Sequence, residues 1–263
     1  MSYIAAIRIN TAKRHPFPFD VPAVKFAKNV DLDAPVSFII GDNGTGKSTL
    51  LETLAYRLQL PHMDGTGYSK KCFDAARTLV PFLEVEYKID RPIGFLFRAE
   101  DFGDLMNSVE RQDAHLHAQL DELHGTVPDH IVQEMKDNAN LQLFQMRKDY
   151  GQELHSFSHG EAYLHIMQEK VRQRGIYILD EPEAALSPAK QLALIHFIRE
   201  HLKKHRSQFI IATHSPILMA YPGAKIHEVN ADGMKEAKLE DTEHYSITRS
   251  FLNDPELYLR HLG

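Results

Sequence analysis

Apolar residues along this chain fall into short continuous runs and helix-spaced stripes that alternate with one another. Val36-Ser37-Phe38-Ile39-Ile40 is β-branched and aromatic, as a buried strand is. Beyond the glycines that follow it, Leu50, Leu51, Leu54 and Leu58 recur at helical spacing. Tyr3 to Ile9 reads as a strand, and Pro16, Pro18 and Pro22 punctuate an irregular connection. From Val80 to Ile89, Leu83, Val85, Tyr87 and Ile89 alternate with Phe82, Glu84, Glu86 and Lys88. Ile93 to Phe97 follows across Asp90-Arg91-Pro92, and the two runs are expected to pair as an antiparallel hairpin.

From Asp101 to about Tyr150 the sequence turns polar and helix-forming, with scattered Leu and Met, and predicts a small helical insertion or subdomain at about 101–160. An α/β rhythm then resumes. Leu164, Met167 and Val171 mark a helix with Gly175 as its expected C-cap, and Ile176 to Leu179 is a short buried strand. Ser187-Pro188 pairs an N-cap with proline at the first helical position, opening a helix whose expected inner face carries Leu192, Ile195, Ile198 and Leu202. Gln208 to Thr213 and Lys225 to Asn230 read as further strands. The expectation is one α/β domain over residues 1–263, carrying that insertion.

Between the strand at 36–40 and its helix stands Gly41-Asp42-Asn43-Gly44-Thr45-Gly46-Lys47-Ser48, which fits the phosphate-loop pattern G-x-x-x-x-G-K-[ST]. Its glycines let successive backbone N–H groups turn inward as an anion nest, and the helix N-terminus adds its positive dipole end. Lys47 is placed to meet the β/γ-phosphates and Ser48 to hold Mg²⁺; Thr49 completes the expected nucleotide contacts. A second site segment is Ile176-Tyr177-Ile178-Leu179-Asp180-Glu181, an apolar strand ending in two acids. Asp180 suits the Mg²⁺ of a bound nucleotide, and Glu181 suits polarisation of an attacking water.

Composition narrows the classes. Lys and Arg number 30 against 36 Asp and Glu, a net charge of −6, so no global positive field draws the chain to nucleic acid. The one cysteine, Cys72, cannot form an internal disulfide and suits a reducing compartment. Met1 to Asn10 lacks the pattern of a signal peptide, and no apolar run approaches the roughly eighteen residues of a bilayer span, so a soluble cytoplasmic protein without membrane insertion is expected. Sixteen histidines invite a metal reading, but His115 and His117 are two apart on an expected helix and do not share a face. Lys203-Lys204-His205-Arg206 suits a helix C-terminus.

Asp180-Glu181-Pro182-Glu183-Ala184-Ala185-Leu186-Ser187 resembles the Walker B segment and D-loop of ABC-class ATPases. Ser156-Phe157-Ser158-His159-Gly160-Glu161 resembles their signature motif, with Ser158, Gly160 and Glu161 in matching places, and Ile211-Ala212-Thr213-His214-Ser215-Pro216 resembles the switch segment that carries the family histidine. The order is the family order, and the whole length, including Phe251-Leu252-Asn253-Asp254-Pro255, is similar to small stand-alone bacterial ATPases of this class. The resemblance implies a P-loop NTPase fold of ABC-ATPase type, with a mixed central sheet, an antiparallel β part and a small helical insertion.

It also implies ATP and Mg²⁺ as ligands and head-to-tail homodimerisation on ATP binding. Ser158 would contact the γ-phosphate bound by the partner, His214 would sense that phosphate, and Ala184 to Pro188 would cross the dimer axis. Ser158 and Glu161 also read as a capping box. The chain departs from transporter-type members: His159 stands in place of glycine, Phe157 in place of leucine, and Arg98-Ala99-Glu100 where the Q-loop glutamine belongs. Glu100 is the candidate there for the Mg²⁺ or water contact, against a structural turn. Phe17 and Phe19 lie where an adenine-stacking residue would, or plug the core.

The function expected is therefore an ATPase whose dimerisation switches an unidentified macromolecule, a protein or DNA, in a process such as DNA repair or phage defence. The alternative is a detached ATP-binding subunit of a membrane transporter. A small-molecule kinase gives Glu181 and His214 no purpose. A nucleotide-gated binding module with little turnover is the remaining class.

Overall fold

The structure, a computed structural model, describes residues 2–10, 16–62, 73–89, 93–102 and 159–260. Most of the expected insertion, Ser158, His115, His117 and Cys72 lie outside the described residues. The chain forms two compact units, Met1–Ala99 with Gln173–Gly263, and Glu100–Arg172.

In the first unit the central sheet has the order β5-β6-β7-β3-β8-β9, made of β3 (Val36–Gly41), β5 (Gly94–Arg98), β6 (Ile176–Asp180), β7 (Gln208–Ala212), β8 (Lys225–Asn230) and β9 (Gly233–Ala237). All neighbours are parallel except β8 and β9. Every residue of β3, β6 and β7 is buried, which is why these strands are written as unbroken apolar runs instead of alternating ones. A small antiparallel sheet, β2-β1-β4, joins β1 (Ile4–Ile9), β2 (Val30–Asp31) and β4 (Leu83–Tyr87). Helix α1 (Pro22–Lys25) precedes β2. Helix α2 (Lys47–Leu58) buries Leu50, Leu51, Leu54 and Leu58 in the core, with α3 (Asp74–Leu79) adding Ala76 and Leu79.

The expected hairpin does not form. β4 pairs with β1 in the small sheet, whereas β5 is the edge of the large one, parallel to β6. Alternation in β4 and a buried run in β5 are features of strands with different surroundings, and the Asp90-Arg91-Pro92 spacing could not reveal that.

Helix α5 (Pro188–Lys204) turns inward a face of Gln191, Leu194, Ile198 and His201, while Leu192 is 59% exposed. Two polar residues on that face defeat a count of apolar positions, and both are paired. Gln191 Oε1 accepts from Ser215 Oγ and its Nε2 donates to Leu186 O at 3.1 Å. His201 Nε2 lies 2.8 Å from Ser207 Oγ. Ser187 holds the N-cap position without a side-chain cap bond.

The two sheets are tied by Gln208. Its Oε1 accepts from Tyr3 N (2.8 Å) and Ile4 N (3.0 Å), and its Nε2 donates to Ile4 O (3.1 Å) and Leu32 O (2.6 Å). Beyond β7 come α6 (Pro216–Met219), α7 (Glu243–Asn253) and α8 (Glu256–Leu259).

In the second unit, α4 (His159–Lys170) carries Glu161 in its first turn, and Tyr163 packs edge-on against Phe102 with ring centroids 5.4 Å apart. The helix ends at Lys170, so Gly175, five residues on, is not its C-cap. Gly175 instead packs by backbone, donating N–H to Ser207 Oγ at 3.2 Å, and a Cβ there would lie 2.6 Å from Ile93 O.

Candidate active site

The carboxyl end of a parallel sheet is where loops leave the strands on one edge, and in this chain β3, β6 and β7 deliver the chemistry there. The phosphate loop leaves β3 and enters α2 at Lys47. Gly41 has φ +148°, and a Cβ there would lie 2.2 Å from Val229 O, so only glycine lets β8 approach. Gly46 caps α2 at φ +86°, where a Cβ would meet the Val21 side chain at 2.6 Å. Asp42, Asn43 and Gly44 form the exposed crest of the loop. Thr45 is buried, and its Oγ1 donates to Asp42 O at 2.8 Å.

Lys47 is buried, and its Nζ donates to Gly41 O at 2.8 Å and Asp42 O at 3.1 Å. The ammonium thus braces the loop it would share with an anion. Burial lowers its pKa, and the charges of Glu181, Asp180, Asp42 and Glu183 oppose that shift. Ser48 and Thr49 are half-buried on the first turn of α2.

Register places the acids. Asp180 ends β6 opposite Arg98 of β5 and Ala212 of β7. Arg98 itself is paired with Glu52 of α2 at 3.0 Å, a buried ion pair anchoring that helix to the sheet edge. Asp180 is buried and its Oδ1 has no hydrogen-bond partner. Burial pushes its pKa up to about 6, with the Glu181 charge adding to the rise and a hydrogen bond from Ser48, Arg98 and Lys47 opposing it. An orphaned carboxylate oxygen beside a serine hydroxyl is a hard-oxygen pair that fits Mg²⁺.

Glu181 follows in a left-handed conformation, φ 49° and ψ 50°, with its N–H donating to Ala212 O at 2.9 Å. That backbone costs a non-glycine residue about 1–3 kcal/mol and here aims the carboxylate at the loop after β7. His214 lies in that loop. Its N–H donates to Glu183 Oε1 at 2.6 Å, and its Nε2 is 3.3 Å from Glu181 Oε1. Its Nδ1 is 3.1 Å from His244 Nε2 of α7. Burial lowers the His214 pKa, as do Lys47 and His244, against Glu181 and Glu183.

Lys47, Ser48, Asp180, Glu181 and His214 are therefore brought together. Glu100 and Glu161 belong to the second unit, Glu100 exposed within a helical stretch at 99–102 and Glu161 on α4 with Gly160. Phe17 is 64% exposed, while Phe19 packs edge-on against Phe82 at 5.1 Å. Glu183 and His244 were not expected. Glu183 belongs to the Asp-Glu-Pro-Glu run but has no role readable from spacing, and His244 meets His214 only through folding.

These features define an ABC-type P-loop ATPase, an ATP-binding protein with the α/β fold of that class. Residues 71–220 match the family described as "AAA domain, putative AbiEii toxin, Type IV TA system", and the chain belongs to it. Curated relatives include a "Putative ABC transporter ATP-binding protein" of Methanosarcina acetivorans, 27% identical over 77% of this chain and 74% of that one. Another with the same description, from Caldanaerobacter subterraneus, is 28% identical over 92% of this chain and 93% of the relative. Among solved structures, an SMC head bound to the C-terminal winged-helix domain of ScpA shares the fold, with a TM-score of 0.50 and 13% identity over 89% of this chain and 97% of that one.

Proposed function

We propose that this protein hydrolyses ATP and that two copies close head to tail around the nucleotide, a switch acting on a macromolecular partner. The observation that carries the reading is the gathering of Lys47, Asp180, Glu181 and His214 at the carboxyl ends of three adjacent strands. Lys47 and the loop N–H groups, from Gly41 to Ser48 and Thr49, cradle the β/γ-phosphates. Ser48 and Asp180 would hold Mg²⁺, which would neutralise charge on the phosphoryl oxygens. Glu181 takes a proton from the attacking water, and His214 donates a hydrogen bond on the γ-phosphate side. Ser158, Gly160 and Glu161 of the second copy complete the site across the dimer.

A second reading, the ATP-binding subunit of a membrane transporter, is favoured by the descriptions of the curated relatives. His159 in the signature and the missing Q-loop glutamine favour a different partner, such as a protein or DNA in repair or phage defence. No described helix is long and apolar enough to cross a membrane. Co-purification with a multi-span membrane protein selects the transporter reading.

The test is Glu181→Gln, which removes the base and keeps the size. Turnover should fall about 10²–10⁴-fold while ATP binding survives. Size exclusion with light scattering should show a dimer with Mg-ATP and a monomer with Mg-ADP. A monomer under both conditions with hydrolysis intact sinks the mechanism.

A further inference from the structure

We propose that His244 is a positioning residue that fixes the tautomer and ring orientation of His214. The inference rests on the reading of His214 as the residue facing the γ-phosphate.

Two imidazoles 3.1 Å apart through Nδ1 of His214 and Nε2 of His244 share one proton: one nitrogen donates and the other accepts. The far side of the His214 ring decides which. Its Nε2 is buried and 3.3 Å from Glu181 Oε1, in an alignment short of a full hydrogen bond. A carboxylate oxygen only accepts, and a lone pair turned toward it at that distance is repelled, so Nε2 carries the proton. Neutral His214 then has a bare Nδ1, and His244 Nε2–H is the donor. Burial, then the Lys47 ammonium, outweigh the Glu181 and Glu183 charges and favour the neutral ring.

The rings sit 47° apart with centroids at 5.3 Å, so the contact is by edge and sets direction. His214 is therefore held three ways: its own N–H on Glu183, Nε2 toward Glu181, and Nδ1 on His244. His244 sits half-buried on the first turn of α7, two residues after Thr242, the fully buried cap position of that helix. Without it the Nδ1 lone pair is unpaired and the ring is free to rotate or change tautomer, turning a lone pair toward Glu181 and the phosphate. Thirty residues separate the pair, and only packing of α7 beside the β7 loop joins them.

The direct test is a through-hydrogen-bond nitrogen–nitrogen coupling in protein labelled with ¹⁵N-histidine, without nucleotide, His214 being assigned from His214→Gln. The expected correlation runs from a proton on His244 Nε2 to His214 Nδ1. No correlation, or a proton residing on His214 Nδ1, overturns the proposal. The kinetic test is His244→Leu, expected to lower kcat roughly tenfold and change KM for ATP less than about twofold, with His244→Gln, an amide donor, restoring most of kcat. Parental kcat in His244→Leu, or an equal loss in both variants with lowered melting temperatures, overturns it as well. A chain that shows the coupling but no ATP hydrolysis abolished by Lys47→Ala defeats the ATPase reading and leaves the pairing standing.

Discussion

The two ends of strand β7 are built on opposite terms. At its amino end Gln208 uses both amide groups, spending two donors and two acceptor positions on the small sheet. Next to it the Ser207 hydroxyl accepts from Gly175 N–H and lies 2.8 Å from His201 Nε2. Beside its carboxyl end, where β6 finishes, Asp180 Oδ1 and Glu183 Oε2 are buried without partners among the described residues, and Glu181 stands in the left-handed region. Unsatisfied buried polar groups cost about 1–3 kcal/mol each, a cost that the proposed nucleotide and Mg²⁺ would relieve here. One end is finished by the chain itself; at the other, the proposed nucleotide and its Mg²⁺ would be the finishing partners.

The largest effect expected is at the unfinished end. Lys47→Ala should lower ATP affinity at least about a hundredfold while the melting temperature stays within about 4 °C, because it removes the phosphate-side cation and only loop-bracing bonds. Calorimetry showing parental affinity would defeat the phosphate-loop reading. At the finished end, Gln208→Leu should cost about 3 kcal/mol or more, since two backbone N–H and two carbonyl groups lose their buried partner together. Urea unfolding measures it, and a loss under about 1 kcal/mol would mean that the glutamine is not the tie between the sheets.

The same end should respond to acid. His201 is buried, and desolvation, with the His205 charge adding, lowers its pKa to about 4. Between about pH 6.5 and pH 4 the unfolded chain takes up a proton that the folded chain refuses. The stability present above pH 6.5 is thus lost as pH falls, by up to about 3 kcal/mol. Unfolding midpoints of the parent and of His201→Gln should diverge in that window, the parent falling more steeply; parallel curves count against a neutral buried His201. The smallest effect, and the one of opposite sign, is Asp180→Asn. In chelator, without nucleotide, it should raise stability by about 1–2 kcal/mol by replacing a buried carboxylate whose Oδ1 has no partner among the described residues. A less stable variant would show that Asp180 is a satisfied structural group.

Much of this was legible in the residues. The phosphate loop, the helix on Leu50, Leu51, Leu54 and Leu58, and the strands ending at Asp180 and before His214 stand where the patterns put them. Each is a local property: glycines that release φ, leucines that share a helix face, β-branched runs long enough for one buried strand. Partnership between elements is what local pattern does not carry. β4 and β5 are strands, but sequence proximity suggested a hairpin where β1 and β6 had the better edges. The inner face of α5 escapes an apolar count because Gln191 and His201 are buried with hydrogen bonds that no periodicity records.

By itself the sequence determined the class of chemistry, because a phosphate nest needs its glycines and lysine consecutively and a strand must end in its acid. Only the tertiary structure decided which groups come together: Lys47 in the field of Asp180 and Glu181, and His214 between Glu181 and His244. Those positions lie 30 to more than 130 residues apart: parallel strand register sets the placing of Lys47, Asp180, Glu181 and His214, and packing of α7 beside the β7 loop brings in His244.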